Sequence, residues 1–132
     1  MKNKYEIRGE ETVIFLNYKG QTLETVIDTE DLEKAMKFPN TWHASYDKYA
    51  KTYYVAGAET VNGMPVYWRL HRTIMDTPVG LVVDHRNHDG LFNRKTNLRN
   101  VTTQENSKNM NKPERWGVQQ RNYNLCNMHK TA

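Results

Sequence analysis

Apolar and polar positions alternate along residues 5–28, with Tyr5 and Ile7, then Val13 and Phe15, then Leu23 on the apolar side. The alternation breaks at Gly9-Glu10 and at Lys19-Gly20. A period of two, interrupted by turn formers, predicts two or three antiparallel strands. Thr29, followed by Glu30, Asp31 and Glu33, sets a capping hydroxyl and acidic groups at a helix start, and Pro39 halts it, so a short helix is expected over residues 30–37. Across residues 42–68 aromatic and β-branched side chains are dense, with turn signals at Asp47-Lys48 and Asn62-Gly63. That stretch predicts a second set of strands. Leu70 and Ile74, four apart, give one apolar face to a short helix over residues 69–75 that stops near Asp76-Thr77-Pro78.

The pattern then changes. Residues 80–83 form a short apolar strand, residues 87–96 are rich in turn formers, and a second strand falls at residues 98–101. Thr102 with Glu105 three residues later makes a capping box, so a helix begins at about Thr103 and carries Asn106 in its first turns. Beyond Pro113 the chain is polar and without apolar period, although Trp116 and Tyr123 offer anchors. There are no internal repeats and no low-complexity tract. The expected fold class is therefore α+β: antiparallel strands with short helices in the N-terminal part and a strand–loop–strand–helix unit in the C-terminal part. Residues 1–68 are read as a β-rich accessory region with one short helix, 69–112 as the chemical unit and 113–132 as a polar tail.

Composition narrows the classes. The 132 residues suit one compact domain, or a small catalytic unit with an accessory subdomain, and 37% apolar residues with 8 Tyr and 3 Trp are enough to fold it. No apolar run is long enough to cross a bilayer, and the charged start MKNKYEIRGEE lacks the apolar region of a signal peptide, so no membrane partner and an intracellular location are expected. The single cysteine, Cys126, excludes an internal disulfide and any zinc site built on four cysteines, or on two with two histidines, so no zinc is expected. The net charge of +4 is unevenly spread: residues 1–60 carry 8 Lys/Arg against 10 Asp/Glu, and residues 61–132 carry 11 against 5. A basic C-terminal half fits a polyanionic partner, although basic surfaces of this size are often only solvated.

The chemistry concentrates in VVDHRNHDGLFNRKTNLRNVTTQENSKN, residues 82–109. Hydrolysis of a phosphodiester needs a base for water and a cation to offset charge growing on the phosphate and leaving oxygen. His85 is the candidate base, since neutral imidazole accepts a proton near neutral pH. The Asp84 carboxylate and the Asn106 amide oxygen are hard donors suited to a single Mg²⁺ or Mn²⁺. Asn97 is expected to orient His85 and tie the loop together. Adjacent strand residues face opposite sides, so the strand has to end or bend for Asp84 and His85 to serve one site.

The same stretch resembles the HNH endonuclease motif, in particular that of phage and intron-encoded homing endonucleases, which carry DH, then NR, then NLR, VT and a final Asn. Asp84-His85, Asn93-Arg94, Asn97 and Asn106 stand at those positions, and the LHR of residues 70–72 recurs in relatives. His88 and Phe92 depart from it where relatives often carry Gly and Asp, neither at a catalytic position. The resemblance spans about 40 residues, is weaker over 1–69 and absent or degenerate after Pro113. It implies a ββα-metal finger at 69–112 with His85 and Asn97 catalytic and Asp84 and Asn106 holding the metal. It also implies double-stranded DNA as substrate and a phage- or mobile-element-encoded protein acting in a bacterial cytoplasm. Arg72, Arg86, Arg94, Arg99, Lys108 and Lys112 are the expected phosphate contacts, and the Tyr-rich strands of 42–68 resemble a sheet that adds DNA specificity. His71 is read as a helix residue packing under the site, Asn93 as a structural loop residue and His88 as a solvent-facing turn residue. Taken singly, each asparagine of the motif is also an ordinary turn or cap residue.

With a single metal and no apolar dimer seam, the expectation is a monomeric nickase, with double-strand cleavage requiring a dimer or two encounters. Two other classes stand beside it: a DNA-binding module of the same descent without cleavage, and a nonspecific phage nuclease or packaging accessory factor.

Overall fold

The computed structural model describes residues 1–108. Lys112, the tail expected over 113–132 and Cys126 lie outside the described residues.

Strand β1 (Tyr5–Arg8) pairs with β2 (Glu11–Tyr18), which pairs along its whole length with β3 (Gln21–Asp28), all antiparallel. Lys19-Gly20 closes the second hairpin with both residues at positive φ (48° and 82°), the two-residue turn whose twist matches that of its strands. Thr29–Asp31 forms one 3-10 turn running into α1 (Leu32–Met36). Strands β4 (His43–Asp47), β5 (Thr52–Val61) and β6 (Met64–Arg69) form the second antiparallel set, and Asn62-Gly63 turns β5 into β6, again with positive φ at both residues. A single parallel bridge, Asn17 to His43, joins the two sets through β2 and β4. Helix α2 (Leu70–Met75) follows with Leu70 and Ile74 buried, as their spacing predicts, and Asp76 ends it in the left-handed conformation.

Side chains from both sheet halves and both helices meet in one core. Phe38, Trp42 and Trp68 pack ring against ring at 4.4 to 6.3 Å, and the Trp42 indole N–H donates to Ala35 O. Ile14, Leu16, Ile27, Val55, Leu70 and Ile74 complete the centre. Gly57 lies directly under the Phe38 ring, where a Cβ would overlap it.

The C-terminal segment differs from its expected form. Strands β7 (Val82–His85) and β9 (Leu98–Val101) pair antiparallel, and the Thr102–Glu105 capping box closes reciprocally at 2.9 and 3.1 Å at the start of α3 (Thr103–Lys108). The turn-rich stretch between the strands does not stay a loop. Its residues Phe92–Asn93 form β8, which adds in parallel to β3, pairing Val26 with Phe92 and Ile27 with Asn93. The sheet thus runs β6-β5-β4-β2-β3-β8, with β1 on β2.

This corrects the expected α+β class with a ββα-metal finger as its C-terminal unit. The structure is mostly β, 48% strand against 21% helix, a curled half-barrel of sheet with few helices. Helices of five or six residues are too short to make a layer of their own. Residues 69–108 bury Val83 and Leu98 in the common core and give β8 to the main sheet, and α3 is described only over Thr103–Lys108, so a ββα finger is not what the described residues form.

The loop packs tightly on β5 at Gly90. Its N–H donates to Thr52 Oγ1 at 3.0 Å, and a Cβ there would overlap the Tyr53 carbonyl oxygen of β5. Because backbone cannot swing aside as a side chain can, Gly90→Ala is expected to cost about 1–3 kcal/mol or more. A thermal melt checks this, and an unchanged midpoint would show that the loop does not press on β5.

Candidate functional site

The site forms where β7 ends. Arg86 N–H donates to Asn97 O at 2.8 Å and His88 N–H donates back to His85 O at 2.9 Å, so the chain turns immediately after His85. His88 takes positive φ (65°) in that turn. The bend lets neighbours that would face opposite sides of a strand line one cleft. Asp84, His85 and Asn106 share it with Asp47 and Thr52 from the main sheet, in a space of about 180 Å³. His88, expected to face solvent, is half-buried and lines the same cleft.

His85 is buried, and its ring is held by hydrogen bonds that fix its tautomer. Asn93 donates through Nδ2 to Gly90 O (3.2 Å) and to Thr25 Oγ1 (2.8 Å), and Thr25 in turn donates to Leu91 O (2.7 Å). A carbonyl oxygen only accepts, so the Asn93 amide has one orientation and presents Oδ1 to His85 Nε2 at 2.9 Å. Nε2 therefore carries the hydrogen and Nδ1 keeps the lone pair. The sequence assigns this orienting role to Asn97, with Asn93 a structural residue supporting the site. The structure instead sets Asn93 against His85.

Asn97 serves the loop. Its Oδ1 accepts from Asn87 N–H (3.0 Å), while Nδ2 donates to Asn87 Oδ1 and Phe92 O (both 2.9 Å). Asn87 Oδ1 also accepts from Asp89 N–H, and Asp89 Oδ1 from Leu91 N–H, so nested side-chain turns shape residues 87–91.

Around the imidazole stand two further rings. His71 of α2 lies 5.1 Å from His85, edge to face, and Tyr54 of β5 lies 5.6 and 5.7 Å from the two histidines. Burial lowers the His85 pKa from 6.5 to about 4, against the opposing pull of the Asn93 hydrogen bond and the Asp84 charge. His71 is lowered well below 6.5, first by burial and then by His85, Arg69 and Arg72. Burial, with the Asp47 and Asp84 charges, pushes the Tyr54 phenol up to about 12. At neutral pH both imidazoles are neutral and Tyr54 keeps its proton.

The buried Asp84 carboxylate takes a cation from the opposing strand, Arg99 Nε at 2.8 Å from Oδ2. A carboxylate has two oxygens and about four lone-pair sites, so this bond does not exhaust it as a donor. Asp84 oxygen, Asn106 amide oxygen and nearby Asp47 are the hard donors that a Mg²⁺ or Mn²⁺ ion prefers, and the set lacks thiolates.

Other expected DNA contacts are committed elsewhere. Arg94 bonds Asp28 Oδ1 (2.8 Å) and Glu11 Oε2 (2.9 Å), which pins β8 to the hairpin of β2 and β3. Arg72 Nη1 donates to Leu81 O at 3.0 Å. Arg86 is exposed, and Lys108 is the final described residue of α3. Among the described residues, the one group of three acidic or histidine side chains with converging ligand atoms is Asp28, Glu30 and Asp31. Arg94 and Lys95 already neutralise that group, with Lys95 Nζ 3.0 Å from Asp31, so it reads as structural.

What sequence reasoning missed, Thr25, Tyr54, Asp47 and Thr52, lies 30 to 60 residues upstream of the motif. The β3–β8 pairing brings Thr25 to the loop, and the Gly90–Thr52 bond and the Tyr54–His85 ring contact bring β5 to the imidazole.

These bonds set measurable outcomes. Asn97→Ala removes three hydrogen bonds and leaves the buried Asn87 N–H without its acceptor, an expected loss of about 1–3 kcal/mol per stranded group, checked by urea unfolding. A neutral buried histidine protonates more readily unfolded than folded, so its contribution to stability is complete above about pH 6.5 and is lost as pH falls towards about 4. Histidine NMR titration should find His85 at about 4, and Asn93→Asp should move it upward by putting a negative charge on Nε2–H. A His85 titrating at its ordinary value in the intact protein would contradict the burial described.

Compared with protein-family models, curated proteins and solved structures, the chain matches none.

Proposed function

We propose that this chain is a divalent-metal-dependent DNA endonuclease of the HNH type that hydrolyses one phosphodiester per binding event, acting as a monomeric nickase on double-stranded DNA. One observation carries this reading: Asp84, His85 and Asn106, from the end of β7 and from α3, line one cleft, with His85 held in the tautomer that leaves Nδ1 basic.

His85 is the catalytic base. Its Nδ1 takes a proton from the attacking water while Nε2–H stays bonded to Asn93, which acts as a positioning residue. A proton affinity as low as that of the buried ring, with the Asp84 charge already acting on it, makes a weak base, and the phosphate of a bound strand adds a further negative charge that favours the imidazolium. Asp84 and Asn106 would hold Mg²⁺ or Mn²⁺, which when bound offsets charge growing on the phosphate and on the leaving oxygen. Arg99, joined to Asp84, balances the charge of that buried carboxylate. Tyr54 and His71 pack against the buried imidazole and shield it from bulk water. No helix among the described residues is long and apolar enough to cross a membrane.

The test is cleavage of supercoiled plasmid with Mg²⁺, Mn²⁺ or EDTA. Metal-dependent conversion to open circle is expected, lost with His85→Ala by a factor of about 10²–10⁴. Asp84→Ala and Asn106→Ala should raise the metal concentration needed as well as slow cleavage. Direct linearisation would replace the monomeric nickase with paired sites. Intact plasmid under both metals, with DNA still bound, would leave a binding module.

A further inference from the structure

A second trough adjoins the cleft. It measures about 490 Å³, enough for a nucleobase and its sugar. Asp47, Tyr49 and Tyr54 line both spaces, so the two share a wall. The composition of the trough is unlike that of the cleft. Tyr46 and Tyr49 present their rings to solvent, 47% and 78% exposed, and Lys19, Lys48 and Arg69 stand around them. Two ammonium groups already lie near ring faces, Lys19 5.3 Å from the centre of Tyr18 and Lys48 5.7 Å from that of Tyr49. Asp47 is the one acidic residue lining the trough, and its Oδ1 accepts from the N–H groups of Tyr49 and Ala50, fixing the turn that holds Tyr49 out.

Flat exposed rings interleaved with cations fit a ligand that carries both π-faces and phosphates. In a duplex the base faces are hidden in the stack, and only an unpaired base can lie on a tyrosine. We propose that the trough binds unpaired DNA nucleotides flanking the scissile phosphate, with bases stacked on Tyr46 and Tyr49 and phosphates held by Lys19, Lys48 and Arg69. The preferred substrate is then a duplex with a single-stranded flank, such as a fork, flap or gap, rather than uninterrupted double helix. This rests on the endonuclease reading of the adjoining cleft.

The experiment is a fluorescence anisotropy titration of the full chain in EDTA, so that no strand is cut. One labelled duplex is compared with the same duplex extended by a single-stranded flank. The flank should tighten binding about tenfold or more, the effect of one or two stacked bases. Tyr49→Ala should erase most of that gain and Tyr49→Phe should keep it, because stacking needs the ring and not the hydroxyl. Tyr46→Ala, also at an exposed position, serves as the second variant, with circular dichroism confirming that each is folded. Lys48→Ala should lower the salt dependence on flanked DNA by about one ion. Equal affinity for the two DNAs, or equal weakening of both by Tyr49→Ala, would overturn the proposal. Plasmid nicking without flank preference sinks the trough alone; flank preference without any cleavage sinks the endonuclease reading and leaves the trough standing.

Discussion

The side chain of Asn93 is fully buried, and its oxygen and nitrogen both meet defined partners. Its orientation cannot be reversed, because Gly90 O accepts and cannot donate. From that one constraint follow the tautomer of His85, the position of its lone pair and the junction between two parts of the chain. Thr25, which receives the second Asn93 hydrogen, belongs to β3 of the N-terminal hairpin. The His85 imidazole and the sheet are therefore one hydrogen-bonded unit. The pairing of Phe92 and Asn93 with β3 gives that unit its register, since a slip of one residue would turn Asn93 away from the buried side.

Electrostatics follow the same organisation. A buried carboxylate is costly without a counter-charge, and Asp84 has Arg99 across the β7–β9 pair. Arg94 does comparable work at the other end of the loop, bridging Asp28 and Glu11. These bonds commit both guanidinium groups to partners within the protein. The net positive charge of the C-terminal half is thus a poor guide to where a polyanion would lie. The trough beside the cleft draws its cations, Lys19, Lys48 and Arg69, largely from the half whose net charge is negative. What counts for a strand of phosphates within a few ångströms is the local arrangement of charge, because salt screens the rest over about 10 Å.

Much was already determined by the sequence, wherever the physics is local. The period-two stretches become β1 to β6, the positive-φ turns at Lys19-Gly20 and Asn62-Gly63 each carry a glycine at the second position, and Leu70 and Ile74 bury one face of α2. The Thr102–Glu105 box forms because both partners lie within one turn. The motif residues Asp84, His85 and Asn106 could be picked out as a set with consistent chemistry, and they do line one cleft. Tertiary structure alone decided the rest. Nothing local marks Phe92–Asn93 as a strand, since two residues between turns have no readable period; the partner edge offered by β3 makes them one. Asn93 and Asn97 are the same residue type in the same loop, and their exchange of roles depends on which of them faces Thr25 and Gly90 and which faces Asn87. The overall class shifted from α+β to mostly β for the same reason: short helices are visible in a sequence, but whether they form a layer or merely cap a curled sheet depends on contacts between residues far apart in the chain.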